Sequence, residues 1–347
     1  MSKKVLVGMS GGVDSSVTAY LLKKQGYDVY GATMLLWKPS DNYDALINDA
    51  KTVCQKLDIP FFVLDFKELF KQTVISDFVE EYRQGRTPNP CVVCNRHLKF
   101  GAFLDEAKKM GMDYIATGHY ARIRKNPDTK KYELSISDAL KKDQSYFLYN
   151  FTQDQLKHTL MPLGEYSKPM VREIAEREGL IVANKPDSQE ICFVEDGDYA
   201  KFIQEFSNLS PVSGNILDTN GNVIGEHKGL IHYTIGQRKG IGAYGRPMFV
   251  MKINPDENTI ILGEKGMEFS SHLLAFKLNF ISGEAPSSPI KIQAKARYQA
   301  SPCEAILAPL DSDTVKIEFT EPQRAITPGQ AVVFYDGNTV LGGGTIL

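Results

Sequence analysis

Apolar residues come first as a short run at 5–9, and after a glycine-rich turn they return at helical spacing as Val13, Val17, Tyr20 and Leu21, stopping at Gly26. The pattern predicts strand, loop, helix. Further strands are expected at 27–34, 61–64 and 114–117, with helical patterns over 45–57, 69–82 and 99–110 filling the intervals. Such alternation implies a parallel sheet covered by helices on both faces, with ligands at the carboxyl ends of its strands. Past Phe206 the texture changes to short β-like runs broken by Asp218-Thr219-Asn220-Gly221, Asn254-Pro255-Asp256 and Tyr335-Asp336-Gly337-Asn338. The fold class expected is α/β: a parallel-sheet domain over residues 1–206, a small central β-rich domain over 207–266, and a C-terminal β-barrel-like domain over 267–347.

Composition narrows the class of protein. The chain has 347 residues, 42% hydrophobic and 24% charged, which suits two or three globular domains. Residues 1–5 lack the basic start and apolar run of a secretory signal, and no segment approaches the roughly 18 apolar residues of a membrane helix. A cytoplasmic protein without a membrane partner is expected. Five cysteines, an odd number, argue against a disulfide framework and for reactive or metal-binding thiols. A net charge of −2 neither supports nor excludes an RNA partner.

The turn after the first strand reads Ser10-Gly11-Gly12-Val13-Asp14-Ser15. Small residues let the backbone approach a phosphate, and successive N–H groups with the following helix N-terminus make an anion cradle. There is no G-x-x-x-x-G-K-[ST] or G-x-G-x-x-G, so kinase-type and dinucleotide loops are excluded. The hexapeptide resembles the loop of the N-type ATP pyrophosphatases, an adenine nucleotide alpha hydrolase-like fold, which cleave ATP between its α and β phosphates and place AMP on an acceptor oxygen. The resemblance implies that Asp14 assists Mg2+ and pyrophosphate, while Gly8, Met9, Ser10, Gly11, Gly12, Val13, Asp14, Ser15, Met34 and Gly118 surround ATP.

Cys91 and Cys94 lie in Thr87-Pro88-Asn89-Pro90-Cys91-Val92-Val93-Cys94-Asn95, a loop held by two prolines just before the 99–110 helix, and Cys192 lies in Asp187-Ser188-Gln189-Glu190-Ile191-Cys192-Phe193. Arg96, His97 and Lys99, with a helix N-terminus, are expected to lower a nearby thiol pKa and raise its thiolate fraction. Cys54 and Cys303 read as small buried hydrophobes. Zinc would need Cys192 plus a histidine, whereas Cys91, Cys94 and Cys192 match three ligands of a [4Fe-4S] cluster with one open iron.

Six ordered motifs, GMSGGVDSS, TPNPCVVCNRHLKFG, ATGHYARI, KDQSYFLY, SQEICF and HYTIGQRKGIG, resemble the tRNA-specific 2-thiouridylases over nearly the whole chain. What the resemblance implies is an ATP-dependent transferase that replaces the C2 oxygen of the wobble uridine in tRNAs for Lys, Glu and Gln by sulfur. The family's nucleophile falls on Cys94 and its persulfide-bearing cysteine on Cys192, loaded by a persulfide donor protein. The two would end as a disulfide that an external reductant reopens. Contacts to the target base fall on Asn89, Pro90 and Cys91; tRNA contacts fall on His119, Lys142, Asp143, Gln144, Arg297, Tyr298 and Gln330. Some members carry Asp where this chain has Cys91, and a thiol does not inherit an acid or base role. Two other readings stand beside this one: a ligase or amidotransferase of the same loop family acting on a carboxylate, and a nucleotide-sensing RNA-binding protein without turnover.

Overall fold

A computed structural model of the chain describes residues 2–37, 43–180, 191–194, 197–208 and 210–347. In chain order its first part forms β1 (Lys4–Gly8), α1 (Val13–Lys24), β2 (Asp28–Leu35), α2 (Tyr43–Lys56), β3 (Phe61–Asp65), α3 (Lys67–Phe70), α4 (Ser76–Arg83), α5 (Pro90–Cys94), α6 (Phe103–Lys109) and β4 (Tyr114–Ala116). A hairpin follows, β5 (Arg122–Lys125) and β6 (Tyr132–Ser135), then α7 (Gln153–Lys157), β7 (Thr159–Leu160), α8 (Lys168–Arg177) and α9 (Tyr199–Ser207). Five of the strands make a sheet in the order β3-β2-β1-β4-β7, parallel throughout.

Strand β1 is apolar without alternation because both of its faces are covered. Val5 and Val7 pack with Val17 of α1, Val53 of α2 and Val171 of α8. Leu6 points the other way, onto Phe103, Leu104 and Ala107 of α6. β2 lies on one side of β1 and β4 on the other, so the chain order reverses at β1 and leaves a crevice beyond its carboxyl end.

The helices expected over 69–82 and 99–110 are present, with π-helical turns at Lys71–Ile75 and Asn95–Ala102 that the periodicity did not foretell. The segment expected as a proline-held loop contains a short helix. Asn89 caps α5 by accepting the Val92 N–H at 3.3 Å, and Pro90 takes the first helical position, where its missing N–H costs nothing. Cys91 and Cys94 thus sit on a helix.

The later strands are β8 (Gly214–Leu217), β9 (Val223–His227), β10 (Met248–Asn254) and β11 (Thr259–Glu264), which pair in the order β10-β11-β8-β9. After them come β12 (Phe269–Phe280), β13 (Ile290–Lys295), β14 (Cys303–Pro309), β15 (Val315–Arg324), β16 (Ala331–Asp336) and β17 (Thr339–Ile346). These six form one sheet, closed by pairing of β12 with β17, and the β5–β6 hairpin joins it at β17 through Val340 opposite Leu134. The α6 side of the first core therefore runs on into Val333, Tyr335 and Val340 of the barrel. Cys303 corrects an expectation: it opens β14 half-exposed, within 3.8 Å of the Thr320 hydroxyl.

An aromatic cluster fastens the Cys192 segment to the first domain. Phe193 packs edge-on to Phe70 and Phe78, with ring centres 5.6 and 5.2 Å away, and Phe78 also meets Tyr82 and Phe202. Phe78→Ala removes the middle ring of this set. It is expected to cost about 3–5 kcal/mol in the first urea transition, with the far-ultraviolet spectrum of the native state kept; a loss within error of zero would show that the cluster does not hold this segment.

Candidate functional site

The glycine-rich turn lies in the crevice between β1 and β4. Gly12 precedes α1 with no side chain capping the helix, so the first N–H groups of α1 point outward unshielded by a cap. The loop is instead tied from behind. Ser15 Oγ donates to Gly12 O at 3.1 Å and accepts from the Ser10 N–H at 3.2 Å, while Thr33 Oγ donates to Met9 O at 2.8 Å. Gly11 is left-handed, with φ +67°, and a Cβ on Gly118 would stand 2.9 Å from Asp14 Cβ and from Ser15 N. Only glycine allows the end of β4 to lie this close to α1. The sulfur-side methyl of Met34 lies 3.5 Å from where a Gly8 Cβ would be, so Gly8, Met34, Gly118 and the loop are brought together.

Asp14 is the charged centre of this crevice. Its carboxylate accepts from Lys168 Nζ at 2.8 Å on both oxygens and from the Tyr120 hydroxyl at 2.7 Å. Lys168 opens α8, 154 residues downstream, and its side chain is 12% exposed. Neither Lys168 nor Tyr120 was among the expected site residues. Tyr120 was within reach of sequence reasoning, since it lies inside ATGHYARI; Lys168, in a plain Ser-Lys-Pro helix start, carried no signal.

His119 follows Gly118 and is buried, its Nδ1 2.8 Å from the Thr117 hydroxyl and its ring against Phe100. Burial, with the Lys99 charge, holds it well below its ordinary pKa and therefore neutral. It is not placed as a cationic phosphate contact.

The cysteines share the charge of Lys99 with His119. That one ammonium acts on Cys91, Cys94 and Cys192, and the three thiols act on one another, so residues 91, 94 and 192 share one locality. Cys91 and Cys192 reach solvent and Cys94 is buried. The expectation of lowered thiol pKa values is corrected. Desolvation pushes all three up, Cys192 to about 11, and Lys99 only offsets part of that rise. Arg96 and His97 do not help because they point elsewhere, into a cavity of about 550 Å³ shared with Asp77, Glu81 and Lys277. Cys54 is fully buried under β2, its thiol pushed up to about 12. Asp187, Ser188, Gln189 and Glu190, from the motif before Cys192, lie outside the described residues.

Among the described residues no three His, Cys, Asp or Glu side chains gather as a metal-ligand set. Cys91, Cys94 and Cys192 share a locality without forming a ligand set for a single ion. A single carboxylate beside a phosphate cradle does fit magnesium, which keeps most of its ligands from water and phosphate.

Several expected tRNA contacts turn inward. Arg297 donates to Ala325 O at 3.0 Å, Ile235 O at 3.2 Å and the Thr327 hydroxyl at 2.7 Å. The Tyr298 hydroxyl donates to Asp143 O at 3.0 Å, and Gln330 Nε2 donates to Thr87 O and Pro88 O at 3.0 and 2.9 Å. Asp143 caps Ser137 N and the Ser145 hydroxyl, and Gln144 exchanges hydrogen bonds with the Tyr120 backbone. Lys142, at the end of a short 3-10 turn, is partly exposed. No described helix is long and apolar enough to cross a membrane.

Known proteins resemble this chain along its whole length. Residues 3–196 match the family model described as a tRNA methyl transferase HUP domain, 200–264 its PRC-barrel domain, and 270–346 an aminomethyltransferase beta-barrel domain. The tRNA-specific 2-thiouridylase of Clostridioides difficile is 53% identical over 100% of this chain and 98% of its own, and that of Clostridium botulinum strain Alaska E43 is 54% identical over 99% and 98%. Among solved structures, the U34-tRNA thiolase of Methanococcus maripaludis is 20% identical with a TM-score of 0.36, covering 60% of this chain and 65% of its own, a likeness too loose to extend further.

The raised thiols make a pH prediction. Only the thiolate reacts with iodoacetamide, so labelling of exposed Cys192 should rise about tenfold per pH unit from pH 8 and level off only near the pKa of about 11. Lys99→Gln should slow it further. A plateau by pH 8.5 would mean that Cys192 is an activated thiol.

Proposed function

The chain belongs to the tRNA-specific 2-thiouridylase family, and we propose that it splits ATP to adenylate the wobble uridine of tRNAs for Lys, Glu and Gln and then replaces that oxygen with a persulfide sulfur. It is an enzyme, an ATP-dependent tRNA sulfurtransferase. The observation that carries the mechanism is Lys99, whose charge reaches Cys91, Cys94, Cys192 and His119 together, next to the Gly118 wall of the phosphate loop.

In the first step the O2 atom of a splayed-out uridine attacks the α-phosphorus of ATP and pyrophosphate leaves. The unshielded N–H groups at the start of α1 receive the phosphates. Asp14 is the residue that would hold a magnesium ion beside the phosphates, and that ion would supply charge neutralisation on the leaving group. Lys168 adds to that neutralisation, pairing with Asp14 before ATP arrives and moving onto the pyrophosphate oxygens as charge builds there. His119, kept neutral by burial, adds no competing positive charge.

In the second step the terminal sulfur on Cys192 goes to C2 and AMP departs with the former O2. Cys94 attacks the Cys192 sulfur, so one sulfur–sulfur bond is exchanged for another and the sulfide released displaces AMP. The product pair is a Cys94–Cys192 disulfide, which a dithiol reductant reopens. Asn89, Pro90 and Cys91 line the place of the base. Cys91, whose thiol is pushed up by desolvation on its inner side although the residue also reaches solvent, stays a neutral thiol and is assigned to contact with the base, not to proton transfer. The sulfur arrives from a persulfide donor protein.

The two halves separate experimentally. Cys192→Ser should abolish 2-thiouridine formation, read by nucleoside mass spectrometry, yet keep a single burst of tRNA-dependent pyrophosphate release. Retained thiolation would remove Cys192 from the path. Lys168→Met should lower pyrophosphate release by about 100-fold, as loss of one charge-stabilising donor does, with tRNA affinity unmoved and partial recovery in Lys168→Arg. Release at the wild-type rate would leave Lys168 with Asp14 only.

A further inference from the structure

Gln330 belongs to the barrel, but both protons of its amide are spent on the catalytic domain, on Thr87 O and Pro88 O. What remains is its Oε1, an acceptor, which repels a phosphate. The Thr87 N–H completes the grip by donating to Pro328 O at 2.9 Å. Between those two contacts lies Gly329, with φ +89°, where a Cβ would stand 2.8 Å from Thr87 O and 3.0 Å from Arg86 Cβ. The turn is itself rigid: the Gly329 N–H donates to Ile346 O and the Ile346 N–H to Gln330 O, at 2.9 and 2.8 Å, with Ile346 fully buried.

The gripped residues have no slack on either side. Upstream, Arg86 is forked onto Glu81 of α4 at 2.6 and 2.5 Å. Downstream, Asn89 caps α5 and Pro90 begins it, so Pro88 is two residues from the helix that carries Cys91 and Cys94. Any shift of the barrel turn is delivered to the cysteine helix.

We propose that the Pro328-Gly329-Gln330 turn is a latch through which the barrel sets the position of the Cys91–Cys94 helix, with Gln330 a positioning residue and not a phosphate contact. The latch's kinetic consequence rests on the thiolation reading, whereas its effect on Cys94 does not.

Gln330→Ala is therefore tested in the full-length enzyme by three readings. Labelling of Cys94 by iodoacetamide without tRNA, followed on the Cys94 peptide by mass spectrometry, should rise about tenfold as the helix loosens, and single-turnover thiolation should fall about tenfold with KM for tRNA unmoved. Filter-binding affinity for tRNA should stay within about threefold of wild type. Gly329→Ala deletes no polar group yet pushes on Thr87, and it should reproduce all three; it also decides the matter if Gln330→Ala does not fold. Weaker tRNA binding with unaltered Cys94 labelling and turnover would overturn the latch, as would two folded variants that match wild type throughout. Faster Cys94 labelling in both variants, with no thiolation even by wild type, would uphold the latch and count against the functional reading instead.

Discussion

Burial of Val5, Leu6 and Val7 on both faces is the constraint from which the rest of the molecule follows. Three consecutive apolar residues with helices above and below leave β1 no solvent side, so it must lie inside the sheet with β2 and β4 as neighbours. The crevice at its carboxyl end is then unavoidable, and so is the entry of α1 from it. Gly118 closes the arrangement by letting the end of β4 touch the first turn of α1. A side chain there would part the two by more than the site tolerates, and the cradle for the phosphates would open into a groove.

Electrostatics divides the site into two compartments with opposite demands. The phosphate side collects donors and a cation, Lys168, around the single carboxylate of Asp14. The sulfur side is dominated by desolvation, which keeps the thiols protonated; at neutral pH a thiol with a pKa of about 11 is ionised in roughly one molecule in ten thousand. A resting thiolate pair so close to the nucleotide would oxidise and would repel incoming phosphate. Raised thiols avoid both, and the Lys99 charge offsets part of the rise.

What was legible in the sequence followed the range of each signal. Four of the five parallel strands came from local hydrophobic runs, and the phosphate loop from one hexapeptide with its flanking strand and helix. β7, with two residues, has no pattern to read. The π turns escaped because a 3.6-residue period continues across them nearly unbroken, and α5 because its two prolines read as a loop when one of them is a favourable helix start. Lys168 and the β5–β6 hairpin depend on contacts more than a hundred residues apart, which no local rule contains. The thiol shifts were misjudged for a different reason: neighbouring basic residues could be counted, but which of them faced the sulfur could not, and only Lys99 does.

Side chains of the barrel that reach back into other domains change how RNA recognition should be understood. A residue whose donors are all committed to protein carbonyls gains nothing from a phosphate unless it gives up those bonds, and each buried carbonyl left unpaired costs about 1–3 kcal/mol. Gln330, with both amide protons used, the Tyr298 hydroxyl, and Nε and Nη2 of Arg297 join the domains through such bonds. The joined domains present partly exposed cations such as Lys142 and the cysteine helix in one frame. Because the β5–β6 hairpin is part of the barrel sheet and β17 carries Ile346, which anchors the Gln330 turn, the frame is continuous from the hairpin to the loop before Cys91. If the proposed latch holds, rigidity of these joints is a source of selectivity in its own right.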